Sequence, residues 1–177
     1  MKILTLLRHA KSGWDDPVSR DFDRPLNPRG RRAARTVGTE MKAQALDFDL
    51  VLASPARRVQ ETLEEVAATF GPLRRRLDER LYLASVPTLL EIVRETTDEV
   101  GRLLLAGHNP GLEEIALRLS RRGSDRLRGE VAVKYPTGTL VEIELPVGRW
   151  ADVAEGEGTI VRLIRPRDLD PELGPED

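Results

Sequence analysis

The chain has 177 residues, 40% hydrophobic and 33% charged, with 28 basic and 30 acidic side chains and a formal net charge of −2. That length suffices for one domain with a proper core, and the near balance of charge excludes a chain-wide basic surface of the kind that binds nucleic acid or an anionic membrane. There is no cysteine, which excludes disulfides, thiolate catalysis and cysteine zinc sites. Two histidines argue against a His-rich metal site, so neither metal nor cofactor is expected, although carboxylates alone can bind a cation. The first apolar run is too short for a signal peptide and no run is long enough to span a bilayer. A cytoplasmic protein with no membrane or nucleic-acid partner is expected.

Residues 3–7 are a short β-prone apolar run, the pattern of a strand buried on both faces, and the run breaks at once into Arg8-His9-Ala10-Lys11-Ser12-Gly13. In an open α/β sheet that carboxyl end faces the ligand crevice. A cation beside an imidazole suits a phosphate-like anion, with His9 free to attack it. The plainer alternative is that Arg8 caps the sheet and His9 is a satisfied loop histidine.

Residues 16–30, rich in Pro, Asp and Arg, predict extended loop. Ala34, Val37 and Met41 then recur at helical spacing and predict an amphipathic helix from about Gly30 to near Ala45. Residues 49–53 predict a second buried strand. Ser54 is placed to cap and Pro55 is allowed in a first turn, so a helix should begin at once, with Val59, Leu63, Val66, Ala67 and Phe70 inward and Gly71-Pro72 closing it. Residues 73–77 are a candidate third strand that carries three arginines, and Pro87 opens a helix bearing Leu89, Leu90, Ile92 and Val93. Residues 102–106 predict the next buried strand. It turns through Gly107-His108-Asn109-Pro110-Gly111 into a helix, with Asn109 as N-cap and Pro110 as first helical residue.

Residues 121–129 predict a polar, arginine-rich connection, while 139–145 and 159–164 alternate apolar and polar residues and predict two strands nearer an edge. The segment 166–177, rich in Pro, Asp and Glu, predicts a mobile tail, leaving 1–165 as a single domain. Alternation of strand and helix makes this an α/β domain with a mostly parallel sheet.

Three strand-to-helix turns carry similar chemistry: Arg8-His9, Ser54-Pro55-Ala56-Arg57-Arg58, and Gly107-His108-Asn109-Pro110-Gly111. If their strands are parallel neighbours, both histidines and at least two arginines surround one small volume, with helix N-terminal amides directed into it. Such a cluster repels itself unless an anion fills it, and a phosphoryl group accepts bidentate contacts from arginine. Singly, Arg57 and Arg58 read as a solvated helix face, and His108 as a histidine bonded to a backbone carbonyl. The conjunction weighs against those readings, because both histidines of the chain follow buried strands.

These motifs, Leu7-Arg8-His9-Ala10 (the usual residue at Ala10 being Gly), Ser54 through Thr62, and Gly107 through Gly111, resemble the histidine phosphatase superfamily, also called phosphoglycerate-mutase-like. Arg8 through Ser12, Arg24 through Gly30 and Tyr135-Pro136-Thr137-Gly138 are most similar to its SixA-type branch, associated with protein phosphohistidine phosphatase activity. The resemblance implies a three-layer α/β/α sandwich and a metal-independent phosphatase. In it His9 is the nucleophile that becomes phosphorylated, His108 stabilises the transferring group, and Arg8 and Arg58 bind phosphate. Arg57, Lys11, Ser12 and Asn109 are implied as further pocket residues, Arg57 because the arginine spacing leaves one position of ambiguity. The implied partner is a protein carrying phosphohistidine; the alternatives are a small phosphoester or sugar phosphate as substrate, or a non-catalytic phosphate-binding module. A general acid is the missing part. Glu79 and Asp15 are the candidates, neither in the context that ester-cleaving relatives show, and a phosphoramidate needs less acid help than an ester because protonated imidazole leaves readily.

Overall fold

A computed structural model of the chain describes residues 1–13, 20–122 and 126–174. Strands β1 (Lys2–Arg8), β2 (Leu50–Ala53), β3 (Arg76–Leu77), β4 (Arg102–Gly107), β5 (Leu140–Leu145) and β6 (Thr159–Ile164) form one sheet in the order β3-β2-β4-β1-β5-β6. The pairs β3–β2, β2–β4 and β4–β1 are parallel, whereas β5 runs antiparallel to both β1 and β6. The strands that precede the three chemistry-bearing turns, β2, β4 and β1, are therefore adjacent and parallel, so their carboxyl ends lie side by side.

Why the sheet sits in the middle follows from the pleat. Leu4 and Leu6 of β1, Leu103 and Leu105 of β4, and Leu52 of β2 belong to one core cluster with α3 (Val86–Arg94), α4 (Gly111–Leu119) and α5 (Arg126–Val133). Their alternates Leu7, Leu104, Ala106, Val51 and Ala53 belong to the other, with α1 (Pro28–Ala43) and α2 (Arg57–Phe70). Strands apolar on both faces need a helical layer on each, which gives the three-layer α/β/α sandwich that the resemblance implied. Each fully buried leucine contributes roughly 1.5–3 kcal/mol. In β6 an irregularity opposite Glu142 and Ile143 shifts the alternation, so that Ile160 and Ile164 point to opposite cores.

Several boundaries depart from the sequence expectations. Helix α1 begins at Pro28, because Asn27 Oδ1 accepts from Gly30 N at 2.7 Å and Pro28 takes the first helical position. Helix α2 begins at Arg57 without a side-chain cap, so Ser54 does not start it and Pro55 lies ahead of the first turn. Pro110 stands before α4, not as its first residue; Asn109 Oδ1 still accepts from Glu113 N, at 3.1 Å. The expected connection at 121–129 contains the start of α5, whose Val131 is fully buried and whose Arg128 reaches Ser120 Oγ and the Leu117 carbonyl, both at 3.0 Å. Residues 166–174, expected in a mobile tail, instead form helix α6 (Pro166–Leu169) and a 3-10 turn (Pro171–Leu173). Leu173 is buried, and Arg32 of α1 ion-pairs with Asp170 at 2.5 Å and Glu172 at 2.7 Å. The acidic composition that suggested solvation faces an arginine-bearing helix. No helix among the described residues is long and apolar enough to cross a membrane.

Candidate active site

At the carboxyl ends of β1, β2 and β4 a cleft of about 460 Å³ is lined by Arg8, His9, Lys11, Ser12, Asp21, Arg24, Arg58, Leu83, His108, Asn109 and Thr137. The backbone on both sides of His9 is pinned. His9 N donates to the Gly107 carbonyl at 3.1 Å, His9 O accepts from Gly138 N at 2.8 Å, and Ala10 N donates to Thr62 Oγ1 at 2.9 Å. His9 is 8% exposed, and its Nδ1 lies 2.7 Å from the Ala10 carbonyl. A carbonyl can only accept, so Nδ1 carries the proton and Nε2 keeps its lone pair.

His108 faces His9 with ring centroids 5.4 Å apart and the rings inclined by 57°. Its two nitrogens are also assigned by their neighbours: Arg58 Nη2, which can only donate, is 3.3 Å from Nδ1, and Nε2 is 2.8 Å from Ser54 Oγ. The proton of neutral His108 is therefore on Nε2. Burial, then the positive charges of Arg58 and Arg8, holds both histidines down to about 3, with His108 itself adding to the lowering at His9. The Ala10 carbonyl opposes the fall at His9, and Asp21 opposes it at His108. Both rings are neutral at physiological pH.

The motif around α2 serves this centre residue by residue. Ser54 accepts from His108, Gln60 Nε2 holds the Ser54 carbonyl at 2.6 Å, and Thr62 supports Ala10 while donating to the Arg58 carbonyl at 2.6 Å. Glu61 accepts from Leu26 N at 2.9 Å, tying the loop before α1 to α2. Arg58, 2% exposed, projects into the cleft. Arg57 does not: it is exposed and ion-pairs with Glu61 at 3.2 Å, one helical turn along, so it is set aside as a pocket residue. Adjacent helical positions face about 100° apart, and one of two neighbours must point away. On the opposite wall Arg8 Nη1 and Asn109 Nδ2 both donate to the Tyr135 carbonyl, at 2.9 and 3.1 Å, and the Tyr135 hydroxyl anchors to Leu6 O at 2.8 Å.

Asp21 and Arg24, which line the cleft, and Tyr82 behind them had no assigned role in the sequence. Asp21, in a 3-10 turn (Asp21–Asp23), accepts from Arg58 Nη2 at 3.0 Å, Tyr82 OH at 2.5 Å and Arg24 Nε at 3.0 Å; Arg24 Nη1 reaches Ser12 Oγ at 2.6 Å. Burial raises the Asp21 carboxyl, but the Tyr82 hydroxyl and the two guanidiniums outweigh it and hold the group at about 2. Tyr82 also sets its ring edge-on to His108, with centroids 5.4 Å apart. Composition read this stretch as loop, and no spacing within it linked Asp21 to Arg58. Of the two acid candidates, Glu79 is exposed and does not line the cleft, and Asp15 lies outside the described residues.

The family model for the histidine phosphatase superfamily (branch 1) matches residues 4–117. The chain belongs to that superfamily. It is a phosphatase of the family, with its two histidines on the turns after β1 and β4. An uncharacterized protein of Mycobacterium tuberculosis strain H37Rv is 37% identical over 163 residues, covering 91% of this chain and all of the other. A chain assigned as the phosphohistidine phosphatase SixA of Nakamurella multipartitia superposes with a TM-score of 0.81 at 26% identity, covering 93% of this chain and 96% of that one. Its counterpart assigned in Agrobacterium tumefaciens gives 0.75 at 27%, covering 92% and 97%. This histidine phosphatase is thus of the SixA type in fold and motifs.

Proposed function

We propose that this histidine phosphatase removes phosphate from phosphohistidine on a partner protein, without a metal, through a phosphohistidine formed on His9. The observation that carries the reading is the tautomer lock on His9: its Nδ1 proton is held by the Ala10 carbonyl, leaving an unprotonated Nε2 in a cleft with three guanidiniums. Nε2 attacks phosphorus, and the bond from phosphorus to the substrate imidazole breaks with its electron pair staying on that nitrogen, so that a ring protonated on its other nitrogen leaves as neutral imidazole. Arg8, Arg24 and Arg58 neutralise the equatorial oxygens, the service a divalent cation gives in other phosphoryl transfers. His108 takes up a proton from solvent at Nδ1 as the dianion enters, in place of the hydrogen bond it accepts from Arg58 Nη2, and holds one of those oxygens through it. Water then attacks the phosphohistidine, the bond to His9 Nε2 breaks, and inorganic phosphate leaves.

The choice of a nitrogen leaving group rests on the acid inventory. Asp21 is the carboxylate among the described cleft residues, and it is held ionised, unsuited to protonating an alkoxide at neutral pH. A phosphorylated imidazole protonated on its other ring nitrogen leaves as the neutral ring without such help. The two SixA chains favour the same substrate class.

The test compares turnover of a phosphohistidine peptide with a panel of phosphomonoesters, and follows the enzyme by mass spectrometry at neutral to alkaline pH. The expected result is preference for the peptide and a phosphoryl adduct that His9→Ala abolishes. A turning-over enzyme without an adduct on His9 overturns the mechanism. Faster turnover of a monoester moves the substrate to the small-phosphoester class.

A further inference from the structure

Arg58 is offered to a phosphoryl group and yet already grips an anion. Its Nη1 donates to the Asp21 backbone carbonyl at 2.7 Å and its Nη2 to the Asp21 carboxylate at 3.0 Å, so one residue takes both ends of the guanidinium fork. The second proton on Nη2 is directed at His108 Nδ1, and Nε is buried with no hydrogen-bond partner among the described residues. The other oxygen of Asp21 is held by Arg24 through Nε at 3.0 Å and Nη2 at 2.9 Å. Two of the three cleft arginines are thus bound to one internal carboxylate that lines the same cleft. Tyr82 fixes that carboxylate from a third side, at 2.5 Å.

A bidentate arginine–phosphate contact needs two N–H groups on one edge of the guanidinium. For Arg58 the Nη1/Nη2 edge is spent on Asp21, and a dianion entering the cleft meets a fixed negative charge sharing its ligands. We propose that Asp21 is a built-in competing anion: it limits how tightly the cleft holds phosphate, and so sets product affinity and release. It acts through Arg58 and Arg24 and is a positioning residue for both. The proposal rests on the reading of the cleft as a phosphoryl site.

The opposite expectation follows if Asp21 only holds Arg58 in place, since loss of the carboxylate would then weaken phosphate binding. Asp21→Asn separates the two. The amide is the same shape, its oxygen still accepts from Tyr82 or Arg58, and the backbone carbonyl that holds Nη1 is unchanged, while the charge is gone. Asp23→Asn is the control. It removes the same charge from the same turn, but Asp23 pairs with Arg20 at 3.5 Å and does not line the cleft.

Calorimetric titration with inorganic phosphate should give a dissociation constant about tenfold lower for Asp21→Asn than for wild type, the effect of roughly one pKa unit of charge interaction. Asp23→Asn should be unchanged, and turnover of a phosphohistidine peptide by Asp21→Asn should be inhibited by correspondingly less phosphate. Asp21→Ser, which also removes the charge and leaves the backbone carbonyl for Arg58, is read the same way should the amide variant fail to fold. Equal or weaker phosphate binding by the folded variant overturns the proposal, as does equal tightening in Asp23→Asn. Absence of phosphate binding in wild type and variants alike overturns the phosphoryl reading of the cleft itself, whereas binding seen in the variant alone supports Asp21 as the competitor.

Discussion

His9 and His108 are each bonded through a nitrogen whose proton status a neighbour dictates, and each is kept neutral mainly by burial. In phosphate-free buffer, histidine NMR should therefore show no titration midpoint above about pH 5 for either ring, against about 6.5 for a solvated imidazole. Saturating phosphate should move the His108 midpoint upward, because the dianion favours a proton on Nδ1. A midpoint near 6.5 for His9 in the free protein would contradict its assigned environment. Arg58→Ala should lower turnover about 10²–10³-fold, the usual loss for one donor to a developing oxyanion, with unchanged far-UV circular dichroism. Arg57→Ala should fall within about twofold, since an exposed pair such as Arg57–Glu61 contributes little. Steady-state kinetics on the two variants decides between the neighbouring arginines, and the reverse ranking would shift the phosphate ligand by one residue.

At the scale of elements, the loop after β1 and the start of α1 are pressed together. A Cβ built on Gly30 would lie 2.1 Å from the Lys11 carbonyl oxygen, and that carbonyl also accepts from Asn27 N at 3.1 Å. Gly30→Ala must push α1 away from the segment that carries His9, and should destabilise by about 1–3 kcal/mol while lowering activity. Gly129, within α5, has nothing within 4 Å of the same added atom, so Gly129→Ala should stabilise by roughly 0.5–1 kcal/mol with activity intact. Urea midpoints at constant slope measure both, and equal shifts would sink the contrast. The loop reading of 16–30 overlooked this contact because a glycine beside proline and asparagine signals a turn, whereas here it permits close approach between segments distant in sequence.

For the whole molecule, the two lowered histidines couple stability to pH. In the unfolded chain they bind protons below about pH 6.5, but in the folded chain only near pH 3, so between those values protons favour unfolding and stability falls as pH falls. The slope approaches about 1.4 kcal/mol per pH unit for each histidine in the steep part of the window. His9→Gln should flatten the decline between about pH 6.5 and about pH 5, above the range where carboxylates titrate. Parallel wild-type and variant curves in urea melts would show that His9 is not the group responsible.

The buried strands 3–7, 49–53 and 102–106, the helices that follow them and the convergence of His9 with His108 were legible in the sequence, because apolar runs and turn residues act over a few positions and parallel neighbours must bring their carboxyl ends together. Local pattern also set the limits of that reading. Ser54 looked like a cap and is the acceptor for His108, since a serine ending a strand serves either use equally well. Residues 166–174 looked like a solvated tail and are held by Arg32 and a buried Leu173. Which of Arg57 and Arg58 faces the cleft, and that Asp21 already occupies Arg58, depended on helix phase and on a contact between positions 37 residues apart. Pairings of that kind carry no periodic signature, because their energy comes from charges and donors that meet only once the core has closed.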